Sequence, residues 1–178
     1  MATIQTQEDR QLLMREWTHQ RYKISTNPAL IPMDQLNDIL QSEEFHWASP
    51  LPMDQLERLV HNSLCFAMYD NNADERLETE SAPAERSLIG FARWIWDQVS
   101  VAYLTDVYIA PEYRGKRLGV WMMECIDEMF RSMPHLRGMI LIADRGSTVE
   151  TFYRRHLAMH DLEPPSFCMD RKGRGTAY

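Results

Sequence analysis

At 178 residues, with 44% apolar and 25% charged residues, the chain is long enough to bury a core and ordinary enough in composition to form one soluble domain. A net charge of −7 speaks against general nucleic-acid binding and mildly favours a cationic small partner. No apolar run approaches the ~20 residues of a membrane span, the start MATIQTQEDRQLL lacks a signal peptide's apolar core, and Cys65, Cys125 and Cys168 are odd in number and far apart, so a cytoplasmic chain with reduced thiols is expected.

In chain order, RYKISTNPALI (21–31) predicts a first strand that runs into a turn at Asn27-Pro28. Two segments of one design follow, IPMDQLNDIL (31–40) and LPMDQLERLV (51–60). Each has a proline where a first helical turn tolerates it and an acidic residue at the positive end. Leu36, Ile39 and Leu40 match Leu56, Leu59 and Val60 at helical spacing, which predicts two short helices and too few copies for a solenoid. SLCFAMYD (63–70) predicts a strand, and the charged segment 71–87 a mobile loop. LIGFARWIWD (88–97) and VSVAYLTDVYIA (99–110), joined by a tight polar turn, predict an antiparallel hairpin.

Pro111 ends the second hairpin strand. Leu118, Trp121, Met122, Cys125, Ile126 and Met129 then recur at helical spacing, with Glu124, Asp127, Glu128 and Arg131 opposite, and this helix ends before Pro134. GMILIA (138–143) reads as a short buried strand. STVETFYRRHLA (147–158) reads as another helix, with Ser147 and Glu150 forming a capping box. One more strand is expected around Phe167 to Asp170, then a basic tail over 171–178. This order of elements predicts a single α+β domain, 1–178, built on a mixed sheet.

The turn between hairpin and long helix is the chemical anomaly. Arg114, Lys116 and Arg117 cluster where a helix N-terminus carries about +0.5 of an elementary charge, so each costs a few tenths of a kcal/mol. Exposed N–H groups at such a start, with Gly115 and Gly119 allowing close approach, form an anion site, and the cations make sense if a polyphosphate sits there. The alternative is that the glycines serve the turn and the packing while the cations are solvated.

LTDVYIAPEYRGKRLGVWMME resembles the acetyl-CoA-binding signature of the GNAT superfamily of N-acetyltransferases: Gln or Arg, two residues, Gly, one residue, then Gly or Ala. Arg114, Leu118 and Gly119 fit after a strand-Pro-Glu-Tyr entry, while Arg117 stands where the middle glycine is usual. TFYRRHLAM (151–159) resembles the family's helix ending in Leu-Tyr-x-x-x-Gly-Phe, with Phe152, Tyr153, Ala158 and Met159 as the counterparts. The strong resemblance covers about residues 101–160. It implies a central sheet of six to seven strands flanked by about four helices. It implies acetyl-CoA as co-substrate and no metal. The cofactor would lie along the backbone of Val107, Tyr108 and Ile109 and in the turn of Arg114, Gly115, Lys116, Arg117, Leu118 and Gly119.

The activity implied is direct attack of a primary amine, a small molecule, on bound acetyl-CoA in a ternary complex. A monomer or homodimer is expected, with no nucleic acid and no membrane as partner. The alternatives are a protein or peptide N-acetyltransferase and a catalytically silent acetyl-CoA-binding module.

Deprotonating an amine of pKa about 10.4 at pH 7 costs roughly 4–5 kcal/mol, whereas a thiol of pKa near 8.5 leaves as thiolate for about 2 kcal/mol, so a base matters more than an acid. The resemblance implies Tyr153 as the acid for the sulfur; otherwise it is an aromatic packed on the core. Asp106 is a lone carboxylate in an apolar strand, either a general base or a hydrogen-bond acceptor within the sheet, with Tyr103 and a water chain as further routes. Trp94 and Trp96 share a strand face and either line an acceptor pocket or fill the core. His46 and Trp47, between the paired helices, either border the acceptor or form a surface loop. His156 and His160 are four apart but lack a third ligand, so no metal is expected.

Overall fold

A computed structural model describes residues 13–45, 51–71, 87–166 and 168–169. Six strands lie side by side in the order in which they occur in the chain. They are β1 (Glu16–His19), β2 (Tyr22–Ser25), β3 (Leu64–Asp70), β4 (Ser87–Trp96), β5 (Val101–Ile109) and β6 (Gly138–Ile140). Neighbours run antiparallel except β5 and β6, which are parallel because the long helix carries the chain back between them. With helices α1 (Met33–Leu40), α2 (Met53–His61), α3 (Leu118–Ser132) and α4 (Thr148–Leu157), this is the mixed-sheet α+β fold that the element order implies.

The sheet has two covered faces and hence two cores. Leu36, Leu56 and Val60 of α1 and α2 pack with Cys65, Ala67, Tyr69 and Phe91. Leu118, Met122, Ile126 and Met129 of α3 pack with Phe66, Met68, Trp94 and Leu104 on the other side. The strand β3 lies between them with all seven residues buried. Alternate side chains serve opposite cores, which is why its sequence is continuously apolar.

Local chemistry sets the ends. Pro32 and Pro52 precede α1 and α2, and Asp34 and Asp54 lie in their first turns. Asp97 closes the β4–β5 hairpin by accepting from the N–H groups of Val99, Ser100 and Val101 at 3.0, 2.6 and 3.0 Å. Ser147 caps α4 by accepting from the Glu150 N–H, as expected. The reciprocal bond, however, runs from the Gly146 N–H to the Glu150 carboxylate, one residue earlier than a capping box has it.

The structure departs from the sequence expectations in two further places. GMILIA is a three-residue strand, not a longer buried one: among the described residues β6 pairs with β5 alone, and Ile140 and Ile142 are 48% and 71% exposed. The N-terminal strand is half of a hairpin whose other half, β1, has side chains too exposed to leave an apolar signature. Cys168 and Met169 lie in no strand, and Phe167 and Asp170 are outside the described residues, as are His46, Trp47, the loop over 72–86 and the tail over 171–178.

Candidate functional site

After β5 the chain makes a short 3-10 turn, Pro111–Tyr113, and then reaches α3 through Arg114, Gly115, Lys116 and Arg117. Gly115 has φ +76, and Arg117, immediately before the helix, has φ +63. The signature's middle glycine thus corresponds to a left-handed backbone, a conformation costing an ordinary residue about 1 kcal/mol or more. Gly119 is different: an added Cβ would meet Phe152 at 3.6 Å, ordinary contact, so alanine fits there.

Helix α3 begins with no side-chain cap and no acidic residue in its first turn, whereas α1, α2 and α4 carry Asp34, Asp54 and Glu150 there. The N–H groups of its first turn are therefore without a capping side chain, which suits an external anion. The three cations are not equivalent. Arg114 Nε donates to the Ile109 carbonyl at 2.8 Å and its Nη2 pairs with Glu44. The Lys116 ammonium lies 4.7 Å from the centre of the Tyr113 ring. Arg117 has no ion pair among the described residues.

Two residues the sequence reading passed over anchor this turn. The Tyr113 hydroxyl donates to Asp70 Oδ2 at 3.1 Å, and Arg21 pairs with the same oxygen at 2.8 Å. Asp70 is 1% exposed. Burial and the bond to Asp70 push the Tyr113 hydroxyl above its usual value. The available signal was a carboxylate closing an otherwise apolar strand.

Upstream, β5 is irregular. Arg93 faces Thr105 and Phe91 faces Tyr108, so Asp106 and Val107 together oppose the single residue Ala92. This is a β-bulge. Asp106 sits at its centre with φ +54. Its Oδ2 accepts from Arg93 Nε at 2.7 Å and its Oδ1 from the Thr105 hydroxyl at 3.1 Å. Arg93 Nη1 also donates to Ser63 Oγ at 3.2 Å. Asp106 is therefore not a carboxylate in apolar surroundings; a guanidinium holds it.

Tyr153 is buried on the α3 side of the sheet, and burial alone pushes its hydroxyl up to about 12. A cavity of about 130 Å³ opens beside it, lined by Leu141, Ala143, Arg145, Met159 and His160 among others. Ala158 ends α4 in a left-handed conformation, φ +52, where the family's ending has glycine. Four residues separate Tyr153 from Ala158, one more than in Leu-Tyr-x-x-x-Gly-Phe. Counted back from Ala158, the tyrosine's position falls on Arg154 and the leucine's on Tyr153. Arg154 itself is held by Glu150 and Asp161 at 2.8 Å.

The remaining candidates separate from the site. Trp94 is fully buried between Phe66 and Trp96, in the core and not in a pocket. His156 packs against Phe152, ring centres 4.9 Å apart and tilted, and α4 stops at Leu157, so His160 does not share a helical face with it. Burial pushes the Cys65 and Cys125 thiols up to about 12, which makes them poor nucleophiles.

Residues 33–157 match the model of the acetyltransferase (GNAT) family. A Gibberella zeae protein named as a candidate acetyltransferase is 38% identical over 132 residues, 72% of this chain and 75% of that one. The same fold occurs in a crystal structure of a candidate GNAT-family acetyltransferase from Xanthomonas campestris pv. campestris, with TM-score 0.63 at 24% identity, covering 89% of this chain and 97% of that one. It also occurs in glucosamine-6-phosphate N-acetyltransferase from Arabidopsis thaliana, with TM-score 0.54 at 12% identity, covering 86% and 99%. The turn before α3 and the bulge of β5 both lie within the matched span. The chain belongs to the GNAT family of acetyltransferases.

Proposed function

We propose that this acetyltransferase moves the acetyl group of acetyl-CoA to the primary amine of a small molecule by direct attack in a ternary complex. The uncapped, acid-free start of α3 beneath Lys116 and Arg117 carries the cofactor half of this reading. A pyrophosphate there takes the backbone N–H groups of Leu118 and Gly119 and the charge of Arg117 and Lys116. Arg114 reaches it only by leaving Glu44. The acetyl carbonyl lies at the β5 bulge, within reach of the N–H groups of Val107 and Ile109, while that of Tyr108 faces Phe91 of β4; one such donor is worth about 3 kcal/mol in the transition state.

The amine nitrogen bonds to the acetyl carbon, the thioester C–S bond breaks, sulfur leaves as thiolate and the amine's proton departs through water on the Tyr103 side of β5. Full transfer from a hydroxyl near 12 to a thiolate of pKa about 8.5 is uphill by roughly 5 kcal/mol. Tyr153 therefore acts on the departing sulfur first as a hydrogen-bond donor, and the raised hydroxyl makes complete proton transfer the costlier course.

A net charge of −7 favours a cationic small acceptor. The test is thiol release from acetyl-CoA across polyamines, amino sugars, amino acids and peptides. Turnover with small amines is the expected result. Turnover with peptides alone would replace the acceptor class, and saturable acetyl-CoA binding with no turnover would leave a silent binding module.

A further inference from the structure

Among the described residues outside glycine, five have φ between +50 and +70: Gln20, Gln98, Asp106, Arg117 and Ala158. Four of them sit at turns or helix ends, where a left-handed residue reverses or stops the chain. Asp106 alone lies inside a strand. An extended strand does not adopt that conformation unless its surroundings impose it.

The imposing group is identifiable. Arg93 lies on β4 opposite Thr105, the last regular pair before the bulge. Its guanidinium reaches across the irregularity to Asp106 at 2.7 Å and is tied at its other end to Ser63, at the entry of β3. Both side chains are largely buried, at 12% and 8% exposure. The pair therefore fastens three strands at the point where β5 gains its extra residue. An aspartate suits the position because it tolerates a left-handed backbone better than most residues and supplies the acceptor that holds it there.

We infer that Arg93 and Asp106 are positioning residues, whose ion pair fixes the bulge from which Val107 and Ile109 present N–H groups to the acetyl carbonyl, and that Asp106 is not the general base. The inference rests on the acetyl-CoA reading above. As a base, Asp106 would have to give up Arg93 and Thr105 to take a proton. As a fastener it keeps them.

Asparagine separates the two roles, since it accepts the left-handed backbone and can still receive a hydrogen bond from Arg93 but cannot accept the amine's proton. With the best amine of the panel, Asp106→Asn should keep kcat within about threefold of the parent and retain its acid limb in the pH profile. Asp106→Ala and Arg93→Met should each lose about tenfold or more in kcat, with acetyl-CoA affinity within about twofold. Their double variant should be no slower than either alone. Asp106→Gly, free to adopt the conformation, should outperform Asp106→Ala even if the alanine variant folds poorly. Titrating acetyl-CoA into labelled protein should shift the Val107 and Ile109 amide resonances in the parent and in Asp106→Asn, and less in Asp106→Ala.

An asparagine variant as slow as alanine, with its acid limb gone, would overturn the inference and make Asp106 the base. So would variants indistinguishable from a parent that does saturate with acetyl-CoA. A parent that shows no saturation overturns the acetyl-CoA reading itself, and this inference with it.

Discussion

The Tyr113 hydroxyl donates to the buried carboxylate of Asp70 at 3.1 Å, so the turn that leads into α3 is fastened to the far end of β3. Arg21 supplies the charge that lets this carboxylate stay buried. Removing the carboxylate leaves a phenol and a guanidinium without their shared acceptor. Asp70→Ala should cost about 2–3 kcal/mol, a fall of roughly 5–10 °C in Tm for a domain of this size. It should also weaken acetyl-CoA binding. Tyr113→Phe, which removes only the bond, should lose less stability; equal melting temperatures for the parent and Asp70→Ala would rule this anchor out.

Arg117 combines a left-handed backbone with a charge that has no ion pair among the described residues, so its two properties pull in opposite directions. Arg117→Gly removes the conformational cost at the price of greater freedom in the unfolded chain, for a net change of about 0–1 kcal/mol in favour of the fold. Acetyl-CoA affinity should nevertheless fall, and its decline with added salt should become shallower because one cation has gone. A variant that binds as tightly, with the same salt slope, would show that Arg117 points away from phosphate.

Alkali should unfold this protein earlier than its surface charges alone suggest. Cys65 and Cys125 titrate near 9 when unfolded but at about 12 when buried, and Tyr153 moves from 10 to about 12. Between about pH 9 and 12 the unfolded chain therefore holds fewer protons than the folded one, and stability falls as pH rises. Well below pH 9 these groups contribute no slope. Melting curves from pH 8 to 11 should show this decline, and Cys125→Ala should flatten it; an unchanged slope would rule out Cys125 as a source.

Tyr153→Phe tests the leaving-group assignment. Loss of a hydrogen bond to thiolate should lower kcat about tenfold or more while acetyl-CoA affinity stays nearly constant. Unchanged turnover would remove Tyr153 from the chemistry and return it to the core, and Arg154→Met would then be the variant to measure, since Arg154 holds the tyrosine's position when α4 is counted back from Ala158.

The elements with strong periodicity were legible in the sequence: α3, the paired helices, the hairpin and the doubly buried β3. So was the basic turn, because cations at a helix start contradict the local electrostatics. The missing information concerns relations between elements. β6 reads as buried because apolar runs do not report which side of a sheet they flank. β1 has no pattern because only Trp17 of its four side chains turns to the core. The Arg93–Asp106 pair had a usable signal: LIGFARWIW holds one charged residue, basic, and VAYLTDVYI one, acidic, so two lone opposite charges occur in strands expected to pair. The bulge itself had none, since nothing in the order of residues marks a left-handed aspartate.

The strand order follows the chain from β1 to β6 without exception. During synthesis on the ribosome, each strand therefore finds its partner already emerged, and none must wait for a segment still to be translated. Among the described residues the only parallel junction comes last and requires α3 to be docked first. Growth of the sheet can keep pace with elongation, leaving exposed edges and the chance of mispairing with another nascent chain to a brief interval.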